Sequence, residues 1–405
     1  MNKPIFKLES LKDVDKLAVE NLCKYVQIPT AHPNPNYEPC VELLKKIAED
    51  IGLLFNVYRQ FPTKPVVVIS WIGKEPDISS ILLNSHMDVV TADAEKWTYN
   101  PYSAHIDGDG NIHGRGSQDT KVHGIEYLEA IRKLKSQGVV LKRTVHVSFV
   151  PDEEIGGIQG MESFVQSQDF KNLNVKFALD EGYPGEGDTH LAAYGERFTW
   201  NLNIHIPGTT GHGSLLLDNT PGEKLSKLLT KIYEFRNQEK AKVTDVLSLG
   251  GVTTMNVTVM KGGVQNNVIP SELVISMDIR IAPSVGINAC EKQLLQWCKE
   301  AGDGIWIEDI FKDKRISITS IGNDNPYWVA FKSAIEEMNC KVKPYILFGG
   351  VDGRFLRNVG VDVIDYSANM DTPPLHHCDN EFINVKVFLK AIEIYSKVIP
   401  ALANV

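Results

Sequence analysis

Short apolar, β-branched runs alternate with helical patterns through the first half of the chain, and three of the runs stop beside a histidine or an acid. Residues 65–71, 81–84, 144–150 and 176–179 have the composition and length of strands. A helical pattern from about 122 to 135, closed by Gly138, lies between the second and third. Two further helices precede them: 11–27, which stops before Pro29, and 38–53, which ends at Gly52. Strands that alternate with helices predict an α/β catalytic domain with a central mixed sheet flanked by helices. Such sheets place their ligands beyond the carboxyl ends of the strands. His86, Glu153 and Glu181 all fall just past such ends.

The pattern changes near residue 194. Phe198, Trp200, Leu202 and Ile204 alternate with polar residues, as on a strand with one buried face. Thr220-Pro221-Gly222-Glu223 is a capping box with proline at the first helical position. The helix it opens carries a stripe of Leu225, Leu228, Leu229, Ile232 and Tyr233. Strands at 252–260 and 272–281, a helix ending at Gly302 and a strand at 305–310 complete a βαββαβ order, the ferredoxin-like arrangement. The expected organisation is a catalytic domain in two parts, 1–193 and 313–405, interrupted by an inserted domain at 194–312. In the second part, a helix at 326–338, a strand ending near Phe348, a glycine turn with a short helix, a strand at 361–366 and a helix at 382–399 resume the α/β pattern.

Composition excludes several classes of function. A chain of 405 residues with 43% hydrophobic content can bury more than one core. Its net charge of −9 and lack of a basic block argue against a nucleic-acid partner. No apolar run is long enough to cross a membrane, and residues 1–7 lack an apolar signal core, so the expected location is cytoplasmic. The six cysteines (Cys23, Cys40, Cys290, Cys298, Cys340 and Cys378) have neither zinc-finger nor disulfide-scaffold spacing. A bound metal would therefore have to use His, Asp and Glu.

Such residues recur at the strand ends. Ser85-His86-Met87-Asp88 offers an imidazole with a carboxylate two residues on, able to orient it. Gly114-Arg115-Gly116-Ser117-Gln118-Asp119-Thr120-Lys121 presents an acid before a helix, where a simple N-cap is the alternative. Pro151-Asp152-Glu153-Glu154-Ile155-Gly156-Gly157 holds two adjacent glutamates. Neighbouring residues on a strand face opposite ways, so both serve one site only if the backbone turns sharply, which the glycines permit. Asp180-Glu181-Gly182 repeats the pattern, and His377 begins a His-x-x-x-Glu segment with Glu381 opening the last helix. Singly, each of these is more often a polar loop. Together, acids and histidines without thiols are what a hydrolytic zinc pair needs, with cobalt or manganese as alternatives.

These motifs, in this order, resemble the co-catalytic zinc amidohydrolases, a family that includes aminoacylase I, acetylornithine deacetylase, succinyl-diaminopimelate desuccinylase and the carboxypeptidase G type. The likeness covers nearly the whole chain. Ile-Leu-Leu-Asn-Ser-His at 81–86, Phe-Val-Pro-Asp-Glu-Glu at 149–154, Phe-Ala-Leu-Asp-Glu-Gly at 177–182 and Asn-Val-Ile-Pro at 267–270 are most similar to the aminoacylase I branch. The resemblance implies two zinc ions per subunit, one held by His86, Asp119 and Glu181 and the other by Asp119, Glu154 and His377, with Asp119 as the bridge. It implies Glu153 as general base, Asp88 as the orienting partner of His86, and a cis peptide after Asp119. It further implies that the inserted domain is a lid that forms a homodimer, so that His212, between Gly211 and Gly213, acts in the partner's site. Asn267 and Arg280 would bind the substrate carboxylate, and Gly350 and Arg354, in Gly349-Gly350-Val351-Asp352-Gly353-Arg354, would line the pocket.

The expected reaction is hydrolysis of an N-acyl-L-amino acid to a carboxylate and a free L-amino acid, with a small-molecule substrate and neither nucleic acid nor membrane as partner. Arg280 also has a simpler reading, a surface ion pair with Asp278. A dipeptidase or acetylornithine-type deacetylase of the same family is the first rival, and a silent binding homologue the second. A Ser-His-Asp hydrolase would need a Gly-x-Ser-x-Gly elbow, which is missing. Thr120, Met87, Gly213 and Cys378 depart from the family's usual residues without removing a ligand or the base.

Overall fold

The computed structural model describes residues 5–313 and 317–405; the first four residues of the N-terminal stretch considered above lie outside them. The chain forms two compact units. One comprises the residues up to Tyr194 with Thr319–Pro344 and Val351–Val405; the other comprises Gly195–Ile318 with Tyr345–Gly350.

The first unit holds most of an eight-stranded sheet, which runs in the order Leu54–Phe61, Lys64–Trp71, Val145–Val150, Ser80–His86, Val175–Asp180, Asp362–Tyr366, Thr189–Glu196, Lys341–Leu347. The middle four strands are mutually parallel, and the strands on either side of them pair antiparallel. Every residue of Ser80–His86 and Val145–Val150 is buried, which accounts for their continuous rather than alternating apolar runs. The pleat sends alternate residues into two different cores: Val67, Ile69, Ile81 and Leu83 into one, Val66, Val68 and Leu82 into the other. The predicted mixed α/β sheet flanked by helices is thus observed, and its four parallel strands end on one edge.

Several elements escaped the sequence reading, among them the eight-residue strand Thr189–Glu196 and two others. Leu54–Phe61 is a half-exposed edge strand whose Asn56, Arg59 and Gln60 break the apolar pattern. Phe382–Asn384 is a short strand, so the last helix begins at Val385 and Glu381 does not open it. The helices otherwise fall where capping and glycine stops put them: Asp13–Val26, Glu38–Ile51 with Gly52 left-handed at its end, and Lys121–Ser136.

The second unit holds a four-stranded antiparallel sheet in the order Thr254–Gly262, Glu272–Ile281, Phe198–Pro207, Trp306–Lys312. The helices Pro221–Lys240 and Ile287–Ala301 supply the rest of its core: Leu228, Ile232, Cys290 and Leu294 pack with Trp200, Leu202, Ile204, Ile275, Met277 and Ile279. The capping box at Thr220 and Glu223 forms as predicted. The helix stripe is narrower than expected, because Leu225 and Leu229 are only partly buried and Tyr233 is 44% exposed. A two-residue ribbon pairs Gly211–His212 with Val268–Ile269.

Candidate metal centre

The candidate centre is built at the carboxyl ends of the parallel strands. His86 is the last residue of its strand and is buried. Its Nδ1 lies 2.8 Å from the backbone carbonyl of Asp88 and 3.6 Å from that residue's carboxylate. A carbonyl only accepts, so Nδ1 carries the proton and Nε2 presents a lone pair. That Nε2 faces Asp119 Oδ1 at 3.1 Å and Glu181 Oε1 at 3.6 Å. Asp88 therefore orients His86 through its main chain rather than, as expected, through its carboxylate. The carboxylate instead accepts from the backbone N–H groups of Glu153 at 3.1 Å and Glu154 at 3.0 Å.

Asp119 is held from below by Glu381. This fully buried carboxylate accepts from Arg115 Nη1 at 2.8 Å, from the N–H of Gln118 at 2.6 Å and from the N–H of Gly116 at 3.1 Å. Gly116 sits at φ 91°, which only glycine adopts readily. The peptide between Asp119 and Thr120 is cis, as the resemblance implied. Thr120 Oγ1 accepts the His86 N–H at 3.1 Å, so this departure from the family pattern secures the metal-facing histidine. Lys121, also buried, donates to the carbonyls of Tyr25 and Ile28 at 3.2 and 2.6 Å, tying the loop to the first helix.

The other oxygen of Asp119 faces a second histidine. His377 Nε2 is 3.2 Å from Asp119 Oδ2 and 3.0 Å from Glu154 Oε2. His86, Asp119 and Glu181 form one group whose donor atoms lie within 4.8 Å of one another, and Asp119, Glu154 and His377 form another. Glu153 and Glu154 share one 3-10 turn, Glu153–Ile155, entered through Asp152 at φ 65° and left through Gly156 at φ 102°. The sharp turn that two functional neighbours require is therefore present.

The electrostatics favour cations. Burial and the neighbouring Glu181 push the Glu153 carboxyl well above its ordinary range. Burial and Asp119 push Glu154 up, and burial likewise raises Glu181. Burial works to raise Asp119 as well, but the imidazoles of His377 and His86 outweigh it and hold it well below. Hydrogen bonds to Asp119 and Glu154 lift His377 to about 10. Four carboxylates in one cleft repel each other unless positive charge lies between them. The donors are oxygen and imidazole nitrogen without sulfur, a set that suits zinc, manganese or cobalt. The residues fit a pair of divalent ions.

Residues 82–401 match the model for Peptidase family M20/M25/M40. The chain belongs to this family. Aminoacylase-1 of Homo sapiens is 40% identical to this M20 protein over 384 residues, 94% of either chain. An M20 family metallo-carboxypeptidase from Sulfolobus solfataricus, 18% identical, superposes with a TM-score of 0.72 over 97% of this chain and 100% of its own. Bacillus subtilis YXEP, a dinuclear metal binding peptidase of the M20 family, is 14% identical and superposes with a TM-score of 0.69 over 97% and 99%. The last two share the fold. The M20 protein is a hydrolase of the metallopeptidase type, acting on amide bonds.

The remaining predicted site residues are distributed over both units of the M20 protein. In the first, Arg354 donates to the Gly156 carbonyl at 3.2 Å, behind the glutamate turn. In the second, His212 pairs with Val268 on the small ribbon, and Asn267 lies just beyond it, where the Gly213 N–H donates to the Asn267 carbonyl at 2.7 Å. His212 is exposed, and its Nδ1 lies 2.8 Å from Ser214 Oγ. Arg280 stands on the polar face of its strand and is engaged by Asp278 through two 3.0 Å bonds and by Thr199 Oγ1 at 3.0 Å. The ion pair weighed as its simpler reading is present. Gly350 ends the glycine turn assigned to the second unit. No helix among the described residues is long and apolar enough to cross a membrane, and the six cysteines are free.

Proposed function

We propose that this M20 protein hydrolyses N-acyl-L-amino acids to a carboxylate and a free L-amino acid, using two zinc ions per subunit. His86, Asp119 and Glu181 would hold one ion, and Asp119, Glu154 and His377 the other. The observation that carries this reading is Asp119, whose two oxygens face two different imidazoles at 3.1 and 3.2 Å. The substrate class rests on the likeness to aminoacylase-1, which extends over 94% of both chains.

When bound, the metal pair supplies Lewis-acid polarisation of the scissile carbonyl and acidifies water. Glu153 accepts a proton from the attacking water as the new C–O bond forms, and returns it to the amide nitrogen as the C–N bond breaks. Asp88 fixes the backbone of Glu153 and Glu154 with its carboxylate and the ring of His86 with its carbonyl. In this reading Asn267 and Arg280 grip the substrate carboxylate, Gly350 and Arg354 line the pocket, and His212 stabilises the oxyanion in the site of a second copy. Residues 194–312 would then be the lid through which a homodimer forms, and free thiols accord with the cytoplasm.

A matrix of acyl chain lengths and amino acids, with dipeptides alongside, tests the substrate class in the zinc-loaded protein. Preferential dipeptide cleavage overturns it, and metal analysis that finds no divalent ion overturns the centre. Mixing inactive His212→Ala and Glu153→Ala variants tests the dimer. Recovered activity is expected, since one mixed site holds both intact groups; no recovery rules out action across subunits.

A further inference from the structure

A second cluster of charged groups lies behind the glutamate turn and, Asp88 apart, takes no part in the reaction described. His32, Asp88 and Asp152 bring their donor atoms within 4.8 Å of one another. The arrangement has the spacing of a metal site, yet its carboxylates are already occupied. Asp152 Oδ1 accepts from Lys64 Nζ at 2.7 Å and from the Tyr37 hydroxyl at 2.8 Å. The Asp152 N–H in turn donates to the Tyr37 oxygen at 3.3 Å. Asp88, fully buried, accepts the N–H groups of Glu153 and Glu154 and has His32 Nε2 at 2.9 Å from its Oδ2. An ammonium, an imidazole and a phenol do here what an ion would do elsewhere.

We propose that His32, Tyr37 and Lys64 are positioning residues for the general base, forming a clamp that fixes the turn at 152–154 through Asp152 and Asp88. The proposal rests on the assignment of Glu153 as base and Glu154 as ligand. Both leave one short turn in different directions, so a small rotation of that turn displaces both at once. Asp152 enters the turn in the left-handed region at φ 65°, where a residue other than glycine needs outside support. Tyr37 and Lys64 supply it through the side chain and, for Tyr37, through the main-chain N–H as well. His32 acts one step further back, keeping the Asp88 carboxylate aligned with the two amides it accepts. All three residues precede position 82, so they lie outside the stretch matched to the family. They also come from two pieces of chain: the segment between the first two helices, which carries His32 and Tyr37, and the strand Lys64–Trp71.

His32→Ala, Tyr37→Phe and Lys64→Met are the test variants, with His32→Gln and Lys64→Arg as rescues. Steady-state kinetics on an N-acyl amino acid, metal content, and amide hydrogen exchange of the metal-free protein are measured on each. The clamp predicts a fall in kcat of about 10-fold for each disrupting variant, since small misplacements of a base are costly. KM stays at the wild-type level, metal content falls far less than kcat because only Glu154 of the five proposed ligands sits on the turn, and the rescues recover most of the rate. In the metal-free protein, exchange over residues 152–157 quickens while the strand Val145–Val150 stays protected. Wild-type kcat in all three variants, or unchanged exchange at the turn, overturns the clamp. So does a loss of kcat matched by an equal loss of metal. Tyr37→Phe removes a single oxygen and guards against failure to fold. If the wild-type protein hydrolyses no acyl amino acid, the functional reading falls, and hydrogen exchange alone decides the clamp.

Discussion

The large sheet of the first unit is covered on both faces, whereas the small sheet of the second is covered on one. In the first, Val66 and Val67 point into different cores, so neither face can present chemistry. Reactive side chains are confined to the strand ends, where His86, Glu153 and Glu181 collect. In the second, Trp200, Ile279 and their neighbours fill one face, while Thr199, Asn203, Asp278 and Arg280 line the other along the paired register. One architecture holds a few groups rigidly at a rim; the other spreads polar groups over a surface. The first suits bond breaking, and the second suits binding.

That division has its largest expected consequence at Glu153. Glu153→Ala should lower kcat by about 10²–10⁴-fold, the usual worth of a general base, while metal content and KM stay near wild type. Kinetics paired with metal analysis check it. A rate within about 10-fold of wild type, below what a general base contributes, would dissolve the distinction between the two sheets.

The covered sheet also makes a stability prediction. His146 lies in a fully buried strand, with its Nδ1 2.7 Å from Ser70 Oγ, and burial lowers it from 6.5 to about 4. The unfolded chain then binds the proton more readily than the folded one, so stability falls as pH drops from about 6.5 to about 4. The full loss is on the order of 3 kcal/mol. His146→Gln should flatten this part of the curve relative to wild type in urea unfolding of the metal-free protein. Parallel curves for the two proteins would show that the strand is not the closed environment described.

How far these features were legible depends on where each residue finds its partner. Runs buried on both faces, such as Val145–Val150, announce themselves by composition, and the unbroken alternation from Ile275 to Ile281 does the same for a sheet with one wet face. At the candidate centre the motifs around Asp119 and His377 marked those loop residues, and His86, Glu154 and Glu181 were legible because each sits at or just past a strand end. Leu54–Phe61 was not, because an edge strand with polar residues lacks either signature. The role of Glu381 was hidden for another reason. Its partner Arg115 is 266 positions away, and only folding brings the two together. The same holds for His32 and Asp88, 56 positions apart, which no spacing rule connects. The carboxylate of Asp88 was assigned to the nearest histidine in sequence, and the fold gave it to two backbone amides and to His32 instead.

On the open sheet the expected effects are smaller and fall on binding. Arg280 already has its charge met by Asp278, so removing it should leave the fold and kcat largely intact. Arg280→Met should raise KM by about 10- to 100-fold, the worth of one charged hydrogen-bonding group to a substrate carboxylate. Acyl amino acids and their carboxamides, compared in the same assay, check the assignment. The variant should lose most of the preference for the free carboxylate. A fall in kcat with unchanged KM would place Arg280 with the chemistry and blur the comparison.

The smallest effect tests whether the second unit is built from local rules. Thr220 and Glu223 close a reciprocal cap at the start of Pro221–Lys240: Thr220 Oγ1 accepts the Glu223 N–H at 3.4 Å, and Glu223 Oε2 accepts the Thr220 N–H at 2.9 Å. Both groups are exposed, so losing the cap leaves amides that water can still reach. Thr220→Ala should therefore cost only about 1 kcal/mol, typical of a helix cap. The cost should appear in the unfolding of the second unit, because that helix packs Leu228 and Ile232 onto its sheet. The metal centre, built from the other unit's strand ends, should bind its ions as before. Thermal unfolding with metal titration separates the two readouts. A cap loss that weakened metal binding would mean that the covered sheet and the open one do not keep their roles apart.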